Sequence, residues 1–191
     1  MKIIFLDIDG VLNHCDTRHC VEPTAGEPLP IPIAPECMAR LNRLVAETGA
    51  KVVISSSWRK FARWQDLGPA LVRHGLVADV IGETPDLVNE PLWLERWRTR
   101  EGAPFTYERM ERGWEIREWI AEHPEVTEFV ILDDCSDMAE LKPWLVLTHP
   151  NDGLDDPDVE RAKWLLERSA DGVLVARTTS IGFTKEASPC E

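Results

Sequence analysis

The apolar positions of the chain fall into short blocks between polar segments, and the blocks differ in period. Lys2 to Ile8 is almost continuously apolar and runs into Asp7 and Asp9, the pattern of a parallel strand buried on both faces. Met38, Leu41, Leu44 and Val45 follow at helical spacing, with Pro35 at a first helical position and Gly49 as a stop. Lys51 to Ile54 reads as a second strand, closed by Ser55-Ser56-Ser57-Trp58. Residues 58–74 read as a helix broken near Gly68-Pro69, and Leu76 to Ile81 as a third strand. Trp114, Ile116, Trp119 and Ile120 mark a helix from Gly113 to Glu122. Glu128 to Leu132 predicts a strand ending in Asp133-Asp134, and Trp144 to Leu147 another ending in Thr148-His149-Pro150. Asp156 as N-cap and Pro157 behind it open a last helix through about Ser169. Residues 13–35, with five prolines, read as a long loop or flap, and 83–110, rich in Trp and Arg, as irregular. The stretch after Gly172 carries no clear pattern.

Strand and helix alternate, which predicts one α/β domain over residues 1–191, a Rossmann-like, mostly parallel sheet with helices on both faces. The 191 residues, 43% of them hydrophobic, suffice for a core without staples. The longest apolar runs are four residues, against about 20 for a membrane span, so no membrane contact is expected. Asp7 and Asp9 cut the N-terminal run short of a signal peptide. Five cysteines (15, 20, 37, 135, 190) make no C-x-x-C pair, so reduced thiols and a cytoplasmic location are expected. The net charge of −13 argues against non-specific duplex binding and leaves room for a local basic pocket.

In parallel α/β sheets ligands sit beyond the carboxyl ends of the strands. There the sequence places Asp7 and Asp9, then Ser55 to Ser57, then Asp133 and Asp134, then Thr148. Carboxylates converging without a counter-charge either hold protons or bind a cation. Oxygen donors alone suit Mg²⁺, which shares itself with substrate phosphates, and this points to phosphoryl chemistry.

Phe5-Leu6-Asp7-Ile8-Asp9-Gly10-Val11-Leu12 resembles the first motif of the haloacid dehalogenase (HAD) superfamily, a strand followed by D-x-D-G. Val52-Val53-Ile54-Ser55 resembles the second motif, Val130-Ile131-Leu132-Asp133-Asp134 the fourth, and Arg112 in Arg112-Gly113-Trp114-Glu115-Ile116 best matches the third. The runs Ile-Ser-Ser-Ser-Trp-Arg, Arg-Gly-x-Glu-Ile and Leu-Asp-Asp-x-x-Asp-Met are also similar to HAD domains of multidomain bacterial RNA-repair proteins. The resemblance implies Asp7 as nucleophile and Asp9 as general acid and then base, the acid whose presence keeps a phosphatase reading. It implies Mg²⁺ held by Asp7, the Asp9 carbonyl and Asp134, with Asp133 behind it or as the alternative ligand. It gives Arg112 the substrate phosphate, with Lys60 and Arg109 competing, and Ser55 a hydroxyl on that phosphate, with Ser56 as the alternative. Gly10 is expected to allow close approach, and Asp137 to orient the metal shell or cap a helix.

The expected function is therefore a Mg²⁺-dependent phosphomonoester hydrolase working through an aspartyl-phosphate. Its substrate would be a nucleotide or polynucleotide terminal phosphate or a small phosphometabolite, with no stable protein partner. The alternative is a non-catalytic phospho-acceptor or ligand-binding scaffold. Receiver-type acceptors carry their acidic pair after the first strand, whereas here a spaced D-x-D comes first and the adjacent pair last. No P-loop, G-x-G-x-x-G, H-E-x-x-H or G-x-S-x-G occurs. His14-Cys15 and His19-Cys20 carry zinc-type donors at a spacing that fits no standard finger. Trp93 and Trp97 among Arg96, Arg98 and Arg100 form an aromatic-basic patch suited to stacking a base, diluted by nearby acids. Residues 13–34 and 83–110 stand where the family inserts its caps. Both are too short for a large independent cap, so an open pocket is expected.

Overall fold

The computed structural model describes residues 1–18, 30–87 and 111–179. Five parallel strands form one sheet: β1 (Lys2–Leu6), β2 (Lys51–Ile54), β3 (Val80–Glu83), β4 (Glu128–Asp133) and β5 (Leu145–Leu147). Their order is β3-β2-β1-β4-β5. The chain moves outward from β1 through β2 to β3, then crosses back to place β4 on the other side of β1. The reversal opens a crevice at the carboxyl ends of β1 and β4.

Among the described residues, six α-helices lie around the sheet: α1 (Cys15–Arg18), α2 (Pro35–Thr48), α3 (Trp64–Arg73), α4 (Arg112–Glu122), α5 (Asp156–Leu166) and α6 (Ala170–Thr179). Alternate strand residues feed two cores. Ile4, Leu6, Val52, Ile54, Val130 and Leu132 pack with Leu41 and Leu44 of α2, Leu67 and Leu71 of α3, and Val159 and Leu166 of α5. Ile3, Phe5, Val53, Phe129 and Ile131 pack with Ile116, Trp119 and Ile120 of α4 and Val173 and Ala176 of α6. Burial of both faces is why these strands are continuously apolar rather than alternating. Each such side chain contributes about 1.5–3 kcal/mol on leaving water.

The α/β architecture and the Pro35 start agree with the sequence pattern, as does the Gly49 stop, which takes φ 67° and donates its N–H to Val45 O. Several boundaries differ. Residues 58–74 are not one helix broken at Gly68-Pro69. A 3₁₀ turn over Ser57–Lys60 is followed by α3, which runs through both residues. Gly68 is small because α3 crosses the sheet there, where a Cβ would meet Val80 Cβ at 3.2 Å. The third strand lies at Val80–Glu83 rather than Leu76 to Ile81, because Leu76 and Ala78 are buried from the turn that precedes it. The first strand stops at Leu6, and β5 begins one residue late because Trp144 closes a 3₁₀ turn from Ala139. The N-cap of α5 is Asp155, not Asp156: its Oδ1 accepts from Asp158 N–H at 2.8 Å, and Asp158 Oδ2 accepts from Asp155 N–H at 3.3 Å. Asp156, one residue on, pairs instead with Arg43 and Arg40. That helix ends at Leu166, α6 takes in the stretch after Gly172 as far as Thr179, and residues 180–191 lie outside the described residues. The 13–35 segment contains the short helix α1, and its residues 19–29 lie outside the described residues.

Candidate active site

Strand register builds the site. Leu6 stands level with Ile54 and with Leu132, and Ile54 with Glu83. One residue further, Thr84, Ser55, Asp7 and Asp133 form a row across the carboxyl edge. The ladder continues into that row through Asp7 N–H to Leu132 O (3.0 Å), Ser55 N–H to Leu6 O (2.8 Å) and Thr84 N–H to Ile54 O (2.9 Å). Asp7, Ser55 and Asp133 continue the parity of Phe5, Val53 and Ile131, whose face is covered by α4.

Arg112, the first residue of α4, reaches into this row. One nitrogen, Nη1, donates to Asp7 Oδ2 at 2.6 Å, Asp133 Oδ2 at 2.6 Å and Ser55 O at 2.8 Å. The start of α4 is fixed from outside the helix. Asp137 Oδ2 accepts from Arg112 N–H at 3.4 Å, and Asp137 O accepts from Gly113 N–H at 3.1 Å. Asp137 thus satisfies two of the helix's orphan donors. Gly113 makes this approach possible, since a Cβ there would run into the Met138 carbonyl. Burial opposes the Arg112 charge, but Asp7 and Asp133 together outweigh it and push its pKa up. Burial first, and then the Asp7 carboxylate, push Asp133 up despite Arg112.

Both Asp133 oxygens are engaged, Oδ2 by Arg112 and Oδ1 by the Cys135 N–H at 2.9 Å. Asp134 is half-buried and stands against Gly10. Gly10 has φ 75°, and a Cβ on it would lie inside the Asp134 carboxylate, so only glycine leaves that acid its place. The turn is anchored by the Thr148 hydroxyl, which donates to Gly10 O at 2.7 Å, and by Asn13 Oδ1, which accepts from Gly10 N–H at 3.0 Å. Asp9 is half-buried on the same turn and accepts from Asn13 Nδ2 and Trp58 Nε1.

Ser55 Oγ is wholly buried and has no hydrogen-bond partner among the described residues, and Thr84 Oγ1 is in the same state. Ser56 Oγ accepts from Trp58 N–H at 3.4 Å as the cap of its 3₁₀ turn. Lys60 is exposed, and its neighbour Arg59 turns inward to pair with Glu115 of α4. Glu115 also accepts from Leu87 N–H at 3.3 Å, so the segments after β2 and β3 are tied to the helix that carries Arg112. Arg109 and the Trp93–Arg100 patch lie outside the described residues, as do His19 and Cys20. Of the four zinc-type donors, the two described diverge: His14 Nε2 meets Glu36 and Thr17, and Cys15 Sγ meets Asn151. Asn13, Trp58 and Thr84 are the residues that sequence reasoning passed over as site builders, and Asp137 takes the helix-cap role that was one of its two expected roles. Thr84 would have been found had the third strand been placed at Val80–Glu83.

The donor set fits a hard cation. Asp133 and Asp134 offer oxygens close together, and Cys135 beside them keeps its proton, because burial and then the two carboxylates push its thiol up to about 11. A parallel sheet with a crevice at its reversal, an acid row and one arginine across it define a HAD-type α/β domain. A family model described as the HAD domain in Swiss Army Knife RNA repair proteins matches residues 3–159, and the chain belongs to that family. Membership points to hydrolase chemistry of the phosphatase type. No match to a curated protein was found. Among the described residues, no helix is long and apolar enough to cross a membrane.

Proposed function

We propose that the chain is a Mg²⁺-dependent phosphomonoester hydrolase that works through an aspartyl-phosphate on Asp7. The observation that carries this reading is the position of Arg112, whose one nitrogen touches Asp7, Asp133 and the Ser55 carbonyl. A fixed cation beside a buried carboxylate is what attack on a phosphate dianion needs. Asp7 bonds to phosphorus as the ester oxygen leaves, and the leaving oxygen takes a proton from the Asp9 carboxyl. Water then attacks the acyl phosphate, its proton passes to Asp9, and inorganic phosphate leaves with Asp7 restored. Arg112 and the Ser55 hydroxyl hold the phosphoryl oxygens through both steps, a role to which the orphaned Ser55 Oγ lends support. Asp7, Asp134 and the Asp9 carbonyl would hold Mg²⁺, which supplies further charge neutralisation at the phosphate. Asp133 keeps Arg112 in place.

The substrate in this reading is a phosphate-ended nucleotide or polynucleotide, which the family description favours, with a small phosphometabolite as the competitor. The protein acts as one domain, free of membranes and of a stable protein partner, and in the cytoplasm. The free thiols of Cys15, Cys37 and Cys135 suit that compartment. The test is a screen over 3′- and 5′-phosphorylated oligonucleotides, nucleotides and sugar phosphates, with and without chelator, together with trapping of a hydroxylamine-sensitive phosphoprotein. Turnover that survives chelation overturns the metal role. Stable phosphorylation without release of phosphate, or binding alone, would identify the acceptor or scaffold alternative.

A further inference from the structure

Asp9 is gripped at both carboxylate oxygens. Asn13 Nδ2 donates to Oδ1 at 2.8 Å, and Trp58 Nε1 donates to Oδ2 at 3.0 Å. The grips come from two separate loops, one following β1 and one following β2, and each is itself fixed. Asn13 is wholly buried, donates also to Pro32 O at 3.1 Å and accepts from Gly10 N–H. Trp58 sits in the 3₁₀ turn capped by Ser56, its ring partly buried against the core on the α2 side. Asp9 therefore has no freedom to turn away from the crevice unless two hydrogen bonds break. Arg112 brings a charge to Asp7, whereas Asn13 and Trp58 bring only direction, since both are neutral donors. A carboxylate has about four lone-pair sites, so two grips leave each oxygen a site for the proton it carries.

We propose that Asn13 and Trp58 are positioning residues that aim Asp9 for proton transfer. Both belong to described core segments, outside 19–29 and 88–110. The inference rests on Asp9 being the proton donor of the preceding section. Trp58 is the cleaner probe, because its Nε1 makes one hydrogen bond and that bond is to Asp9, whereas Asn13 also holds the turn.

The experiment measures kcat/KM for two esters, an alkyl phosphate whose alkoxide needs a proton to leave and 4-nitrophenyl phosphate, whose phenolate leaves unaided. Because kcat/KM reports the first transfer, it isolates the acid step. Wild type, Trp58→Phe, Asn13→Asp and Asp9→Asn are compared, with thermal melts to confirm folding. Misplacing an aligned group costs up to about 100-fold, so Trp58→Phe should lose about tenfold and Asn13→Asp about 100-fold on the alkyl ester. On 4-nitrophenyl phosphate both should stay within about threefold of wild type, since that leaving group needs little acid catalysis. A merely structural role lowers both esters alike, and that result, or no loss on the alkyl ester, overturns the proposal. If Asn13→Asp does not fold, Trp58→Phe alone decides. If Asp9→Asn itself shows no preference between the esters, the role of Asp9 falls and this inference with it. If Asp9→Asn shows the preference and the two positioning variants do not, only this inference falls.

Discussion

Two clusters of acids among the described residues invite comparison. At the carboxyl edge of the sheet, Asp7 and Asp133 share one arginine nitrogen inside a crevice. At the start of α5, Asp155 and Asp158 exchange hydrogen bonds in a capping box. Both look alike as sequence, aspartates gathered within a few positions of one another. The difference lies in what neutralises them. The α5 pair is spent on backbone N–H groups of its own helix, and Asp156 beside it lies on the surface with Arg40 and Arg43. The edge pair is balanced by a side chain from another element, held at a point where strand direction leaves the sheet open. Acid density alone does not define a site; a counter-charge supplied across a crevice distinguishes this one.

The largest test of that contrast is Asp7→Asn. Removing a nucleophile that acts as part of a unit should lower turnover by about 10⁴-fold or more, with little change in the thermal midpoint. Rates near wild type would erase the distinction between the two clusters. Arg112→Met should come next. Breaking a buried pair from one side costs about 3–5 kcal/mol, read as a lower urea midpoint, and turnover should fall with it. The stability loss should grow as pH rises through about 8, where Asp133, which burial and the Asp7 carboxylate have already pushed up, gives up its proton and is left without its counter-charge. A pH-independent loss would mean that packing, not charge, places Arg112.

Gly10→Ala should then displace Asp134 and raise the Mg²⁺ concentration needed for half-maximal activity, while Asp133→Asn should act mainly through Arg112 and stability. Equal Mg²⁺ titrations for wild type and Gly10→Ala would separate Asp134 from the cation. On the other side of the comparison, Asp155→Ala should cost about 1 kcal/mol of stability as a lost N-cap and leave turnover within error of wild type. Any matching fall in turnover would show that the α5 cluster reaches the site after all.

The smallest effect concerns pH. Burial first, and then the Asp155 carboxylate, raise Asp158 from 3.8 to about 6, against the pull of the Asp155 N–H. The folded state therefore holds this proton more tightly than the unfolded chain. The stability it confers is complete below about pH 4 and is lost as pH rises through about 6. Asp158→Asn should flatten the stability curve between pH 4 and 6, measured by urea unfolding. An unchanged slope in that variant would place the titration elsewhere.

Read from sequence, the strands were visible because both faces of the sheet are buried, so Lys2 to Leu6 and Glu128 to Asp133 keep a nearly continuous apolar run. The acids behind those runs were visible for the same reason, and the D-x-D-G pattern brought the family into view. Boundaries were harder. Leu76 and Ala78 are buried without being strand, and two adjacent aspartates, Asp155 and Asp156, cannot say which one caps a helix. Site builders that act from a distance left no local signal. Nothing near Asp137 shows that it caps a helix beginning 25 positions earlier. Nothing near Trp58 shows that its indole meets an acid 49 positions away.

The sequence by itself determined the alternation of strand and helix, the run of acids and hydroxyls at strand ends, and the family, because each is written in a local period or motif. Tertiary structure decided which of those groups meet. Register put Thr84 beside Ser55 and Ser55 beside Asp7, the reversal of strand order put Asp133 next to Asp7, and the outside cap on α4 put Arg112 between them. Those distances depend on how separate elements pack, and packing is a property of the whole chain that no window of sequence contains.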